Sequence, residues 1–208
     1  DRIMTGVSTI IQNTGEYRGA YCFIGMLFYT IELYADFTGG IDITIGIAEA
    51  MGIRVQENFI RPYFSKSLKE YWRRWHISLC SWFRDYIFYP VSSSKMMRKI
   101  YRLGRRLPVY IASFIVWFVT GIWHGASWNF VLWGLYYGLL ILCERLFLGR
   151  VLEKLPSFFS HLYLLFITTV GWTLFYFTDA KMLFSYLKVM FGLSGAQLWD
   201  MRLGIVLV

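Results

Sequence analysis

Charge is scarce in this chain. Asp, Glu, Lys and Arg make up 16% of its 208 residues, while 57% are hydrophobic and 20% aromatic; soluble domains carry about 25% charge. So little polar composition excludes a disordered tail and a nucleic-acid-binding domain. Cysteine is sparse as well. Cys22, Cys80 and Cys143 stand singly in apolar sequence without CxxC spacing, which excludes a secreted disulfide scaffold and argues against a cysteine-based metal site. The three histidines, His76, His124 and His161, share no ligand spacing such as HxxxH, so no metal is expected. The chain also has no internal repeat and no low-complexity segment.

What it has instead is long apolar sequence. Gly19 to Phe37, Pro108 to Trp123, Ser127 to Cys143 and Phe158 to Phe177 each approach the length that crosses a bilayer core about 30 Å thick. The expected fold class is all-α: a polytopic transmembrane helix bundle with interfacial or partly buried amphipathic helices, multi-pass in the cell membrane and surrounded by membrane lipid. The chain begins at Asp1 and stops at Val208 inside a further apolar run, Leu203 to Val208, so it reads as a fragment of a longer protein.

The net charge of +8 is local. Residues 61 to 106 hold twelve Lys or Arg against two acids, Glu70 and Asp85, and Lys95 to Arg106 holds six cations and no acid. The positive-inside rule places this loop in the cytoplasm, with the span from Pro108 running outward and the next returning to Arg145, Arg150 and Lys154. Anionic lipid, a phosphorylated cofactor or an acidic carrier protein are further uses for such a loop.

Asp1 to Arg18 reads as loop or interfacial helix. In the first span Glu32 and Asp36 lie at i, i+4 on one face, just before Gly39 and Gly40, where the helix is expected to end ahead of a short segment, Ile41 to Met51. Two readings stand for the acids: a face turned into the protein or a wet cavity, or helix-end acids at headgroup level. From Lys66 to Pro90, Leu68, Trp72, Trp75, Leu79, Trp82 and Tyr86 recur at 4-3-4-3-4 spacing, one apolar-aromatic stripe along one helix ended by Pro90. Beside it runs a polar line of Lys69, Arg73, His76, Cys80 and Arg84. So many cations exclude an ordinary lipid-facing span.

Pro108 to Trp123 and Ser127 to Cys143 form a hairpin turning at His124 and Gly125. At about 1.5 Å per residue, Pro108 to His124 covers roughly 25 Å, which puts His124 deep in the membrane or toward its far side. The pairs Gly121/Gly125 and Gly134/Gly138 have small-xxx-small spacing and point to close helix packing. Met182 to Leu193 is expected to be an interfacial helix, and His161 an interfacial residue. His124 is either a satisfied core histidine or a proton acceptor in an apolar site. Cys80, at i+4 from His76, is either a small buried hydrophobe, the preferred reading, or a thiolate nucleophile.

Several motifs go beyond spacing. Glu57-Asn58-Phe59 with Pro62-Tyr63, followed by Trp72 to Tyr86 (WRRWHISLCSWFRDY), closely resembles the signature of the membrane-bound O-acyltransferase family. Gly121 to Asn129 (GIWHGASWN) is similar to its second signature, and Tyr34 to Gly46 (YADFTGGIDITIG) to a third block upstream. The matches come in the family's order over about residues 31 to 144, so 1–208 reads as a partial domain of that family with both flanks incomplete. The likeness is to the bacterial branch that includes the alginate O-acetyltransferase membrane subunit and the D-alanyl transfer protein of teichoic acids. Cys80 departs from the family's usual Ser, and Tyr89 to Ser94 (YPVSSS) from its usual turn.

The resemblance implies transfer of an acyl group from a cytoplasmic thioester to a hydroxyl, commonly across the membrane. The WHG histidine, His124, would be the essential catalytic residue, and His76 the second functional histidine. An acyl-CoA such as acetyl-CoA, or an acyl carrier, would be the donor substrate rather than a bound cofactor. Arg73, Arg74, Arg84, Asp85 and Asn129 form the expected substrate-binding set, and an extracytoplasmic acyltransferase or acceptor protein is the expected partner. The acceptor would be a cell-surface polysaccharide, or teichoic acid for D-alanyl transfer. Two rival classes remain: an ion- or proton-coupled transporter using Glu32, Asp36, Asp42 and His124, and a membrane scaffold. The absence of acids from Pro108 to Cys143 weighs against the transporter.

Overall fold

The computed structural model describes residues 2–14 and 16–193; the apolar run at 203–208 lies outside them. Every regular element among the described residues is helical. In chain order these are α1 (Arg2–Gln12), α2 (Ala20–Ala50), α3 (Leu68–Arg74), α4 (Ile77–Phe83), α5 (Tyr89–Ser92), α6 (Lys95–Ile100), α7 (Leu107–His124), α8 (Trp128–Cys143), α9 (Gly149–Lys154), α10 (Ser157–Tyr176) and α11 (Ala180–Met190). A five-residue π-helical turn, Arg84–Phe88, joins α4 to α5, and a second, Glu144–Leu148, joins α8 to α9. Among the described residues, three helices are long and apolar enough to cross a membrane: Leu107–His124, the continuous Trp128–Lys154, and Ser157–Tyr176. The 31-residue α2, which carries Glu32, Asp36, Asp42 and Glu49, is not among these three.

The first correction concerns α2, which runs straight through Gly39 and Gly40. An interior glycine costs a helix only about 1 kcal/mol relative to alanine, so a glycine pair alone does not stop it; this helix stops where a left-handed residue lets the next amides turn back. That residue is Gly52, at φ 79. Its N–H donates to the Glu49 carbonyl at 2.9 Å and that of Ile53 to Ala48 at 2.9 Å, closing the helix. Of the two acids raised for this helix, Glu32 is buried and Asp36 exposed, so the pair does not share one environment.

The second correction concerns Lys66 to Pro90, which is two helices rather than one. Trp75 is extended at φ −104 and ψ 124, and His76 sits in the left-handed region at φ 46, ψ 56. The stripe is therefore split: Leu68 and Trp75 are core residues, whereas Trp82 and Tyr86 beyond the break are exposed. Pro90 does not end the second piece either. The preceding π-helical turn, in which Tyr89 N–H reaches back to Arg84, absorbs the proline's missing N–H, and the helix continues to Ser92.

α7 and α8 form the tightest helix pair. Helices in lipid gain little from hydrophobicity and associate by close packing, and here glycines permit it. A Cβ on Gly121 would meet the Phe130 carbonyl oxygen at 2.5 Å, one on Gly134 would run into the Trp117 carbonyl oxygen, and one on Gly138 would meet the Trp117 Cβ at 3.0 Å. α10 packs against both α8 and α2, and α11 against α2, where Tyr186 donates to the Cys22 carbonyl at 2.8 Å. α11 buries Leu183, Tyr186 and Met190, so the helix expected at the interface is partly docked on the bundle. The core is aromatic. Trp133, Tyr71 and Tyr137 are its largest fully buried side chains, and Trp72 meets Trp117, Trp133 and Tyr137 edge to face.

Candidate active site

A cavity of about 580 Å³ opens between these helices, lined by α2, α3, α4, α7, α8 and α10. His76 and His124 both line it, although one comes from the α3–α4 break and the other from the last residue of α7. Lys69, Arg73, Arg84 and Arg145 also face it. Arg145 lies past the end of α8, and Trp133 on the same helix packs on His124, so at about 1.5 Å per residue the wall runs roughly 18 Å along α8 from the rings around His124 to Arg145.

Rings surround His124. Trp133 meets it edge to face with centroids 4.9 Å apart, Phe175 at 5.2 Å and Trp123 at 4.9 Å. Its ring has no hydrogen-bond partner among the described residues, and Gly125 beside it leaves room for the Phe130 ring, which an added Cβ would meet at 2.7 Å. His76 is held differently. Its Nδ1 stands 3.3 Å from Asn58 Oδ1, and the Phe37 ring meets it edge to face at 5.0 Å. Burial pushes the His76 imidazole below its ordinary range.

Of the five expected substrate-binding residues, Arg73 and Arg84 face the cavity and three do not. Arg74 pairs with Glu70 at 2.5 Å, and Asp85 pairs with Arg84 at 2.9 Å, both of these side chains being about half exposed. Asn129 is buried and donates from Nδ2 to the Phe175 carbonyl at 3.0 Å. That bond fastens α8 to the α10 residue packed on His124, which is a supporting geometry. Trp128, beside Asn129, is 77% exposed. Cys80 lies on the cavity wall with its thiol donating to the Trp75 carbonyl at 3.4 Å, and burial pushes that thiol up to about 12. A thiol so hard to ionise suits packing and not nucleophilic attack. His161 lies at the start of α10, with Nδ1 3.1 Å from the Ser65 carbonyl.

Two contributors escape pattern reading. Glu144 is buried in the second π-helical turn, and its carboxylate accepts from the amides of Leu68 at 2.8 Å and Lys69 at 3.2 Å and from the Tyr163 hydroxyl at 3.2 Å. It thus supplies anionic charge to the N-terminus of α3, together with the Ser67 side-chain cap on the Glu70 amide. The second is a meeting of distant residues: Lys69, from the polar line, and Arg145, read only as a basic flank, share the cavity wall. The Lys69 amide bonds the Glu144 carboxylate, Arg145 is the next residue in the chain, and nothing in local spacing connects the two.

The model of the membrane-bound O-acyltransferase family matches residues 16–189. A probable alginate O-acetylase of Pseudomonas aeruginosa is 34% identical over 184 residues, covering 86% of this chain and 33% of that protein. A peptidoglycan O-acetyltransferase of Helicobacter pylori is 30% identical, covering 83% of this chain and 32% of its own length. A teichoic acid D-alanyltransferase of Bacillus subtilis is 36% identical over 119 residues, covering 57% and 30%. The chain spans about a third of the length of these curated relatives. With both signature histidines on one cavity wall and the match running through every helix from α2 to α10, the chain belongs to the membrane-bound O-acyltransferase family.

Proposed function

We propose that this chain carries the reaction centre of a membrane O-acyltransferase, which moves an acyl group, acetyl in the first instance, from a cytoplasmic thioester to a hydroxyl of an exported cell-surface polysaccharide. The observation that carries this reading is the convergence of His76 and His124 on one cavity that ends in cations. In this scheme neutral His124 takes the proton of the acceptor hydroxyl as its oxygen attacks the thioester carbonyl. The tetrahedral intermediate then collapses, the thiolate leaves, and the proton passes from His124 to the thiolate. His76 orients the second reactant across the cavity. The ring walls exclude water, which would otherwise compete as nucleophile.

The cationic end serves the donor. Lys69, Arg73 and Arg145 match the phosphates of an acyl-CoA or the acidic surface of an acyl carrier. Lys95 to Arg106 then faces the cytoplasm, the chain lies in the plasma membrane, and the acceptor side meets an extracytoplasmic partner protein. D-alanyl transfer to teichoic acid is the second reading, favoured by the Bacillus subtilis relative. The test is mass spectrometry of surface polymers from a deletion strain, paired with radiolabelled transfer from acetyl-CoA in membranes containing the full protein. Loss of O-acetyl esters supports the first reading and loss of D-alanyl esters the second. Unchanged polymers with no transfer in membranes would sink both.

A further inference from the structure

Resting on the acyltransferase reading, which makes His76 a contact of the reactants, the geometry points to Asn58 as a positioning residue that locks His76 in the tautomer protonated on Nδ1, so that Nε2 meets the substrate as a hydrogen-bond acceptor. Three groups converge on one atom of the buried Asn58 side chain: the Ser78 amide at 3.0 Å, the Ser78 hydroxyl at 2.6 Å and His76 Nδ1 at 3.3 Å. A backbone N–H can only donate, so that atom is the amide oxygen and not the nitrogen. An oxygen without a proton can only accept. The His76 ring therefore donates its Nδ1–H to it, and a neutral imidazole has no second N–H to offer.

The backbone supports the same assignment. Ile77 N–H donates to the Asn58 carbonyl at 3.0 Å and Ile60 N–H to the Arg74 carbonyl at 3.0 Å, so residues 58 to 60 brace both sides of the helix break. A non-glycine residue at φ 46 is strained and persists only where its surroundings over-determine it. Asn58 supplies that surrounding through main chain and side chain together. As an acceptor, His76 is unsuited to stabilising an oxyanion. It suits a substrate O–H or N–H, such as an acceptor hydroxyl or an amide of a thioester arm.

The test is nitrogen NMR on the full-length enzyme in nanodiscs with 15N-labelled histidine, His76 being assigned by the signals lost in His76→Asn. Nδ1 is expected in the protonated range and Nε2 in the unprotonated range at neutral pH. Asn58→Asp, which keeps an acceptor oxygen at the same reach, should preserve that pattern and much of the transfer rate. Asn58→Ala should lose the single tautomer and up to about tenfold in kcat. A rise in KM confined to the acceptor assigns the hydroxyl to Nε2; one confined to the donor assigns the amide. A proton on Nε2 in the wild type overturns the inference whether or not Asn58→Ala accumulates, as does an unchanged tautomer in Asn58→Ala. Failure of acyl transfer with the Nδ1–H tautomer intact would instead strike the acyltransferase reading alone.

Discussion

His76 and His124 face one cavity from two helix ends, and they are held in opposite ways. Hydrogen bonds fix His76: Asn58 Oδ1 accepts from its Nδ1–H, and Asn58 and Ile60 brace the backbone on either side. Packing fixes His124: Trp123, Trp133 and Phe175 set their edges and faces around a ring with no hydrogen-bond partner among the described residues. A hydrogen-bonded imidazole has a chosen tautomer and orientation, which suits positioning. One caged by rings keeps both nitrogens uncommitted, which suits taking a proton and giving it up in the same turnover.

Removing the His124 imidazole should break this contrast most sharply. His124→Gln is expected to insert and accumulate normally, because packing around it is made by neighbours, yet to lose about 100-fold or more in transfer. Radiolabelled transfer with purified full-length enzyme checks it, and a near-wild-type rate would remove His124 from the role of base. His76→Ala should cost less, about tenfold in kcat, and it carries a pH signature. Because burial lowers the folded-state affinity of His76 for a proton, the unfolded chain binds more protons between that lowered value and about 6.5. Stability should fall as pH drops below about 6.5 in the wild type and fall less in His76→Gln, read as melting temperature against pH.

The hairpin that carries His124 offers a structural probe. Gly134→Ala would press a methyl group on the Trp117 carbonyl, and α7 and α8 must separate or the protein loses roughly 1–3 kcal/mol. Its melting point should drop, and transfer should fall with it as Trp133 shifts from His124; an unchanged melting point would show that the helices are not in contact there. Cys80→Ser should have the smallest effect. The site already provides the Trp75 carbonyl as acceptor for a hydroxyl, so most transfer should remain, within about twofold. A trapped acyl group on Cys80 of the native enzyme would replace direct transfer by a covalent route.

Much of this was legible in order along the chain. The ends of α7, α8 and α10 follow from apolar length and from the turn at His124-Gly125, and the spacing of Gly134 and Gly138 announced close packing that the backbone distances bear out. The extent of α2 was not legible. Gly39-Gly40 looks like a stop, but this helix ends only where a glycine turns left-handed, and that glycine is Gly52. Nor was the break at His76, since a 4-3-4-3-4 pattern of large side chains fits an unbroken helix until Asn58, from another segment, competes for the amides of Ile77 and Ser78.

By itself the sequence determined that this protein is helical and built for lipid, where its basic flanks lie, and that His124 sits at the end of an apolar helix, because all of these depend on local composition and on the fixed rise of a helix. Only the tertiary structure decided that His76 and His124 share a cavity, that Lys69 and Arg145 join its cationic end, and that Glu144 caps a helix 76 residues away in the chain. Those outcomes depend on contacts between distant segments. A carboxylate or an amide oxygen binds whichever N–H folding brings within about 3 Å, and no spacing along the chain records that choice.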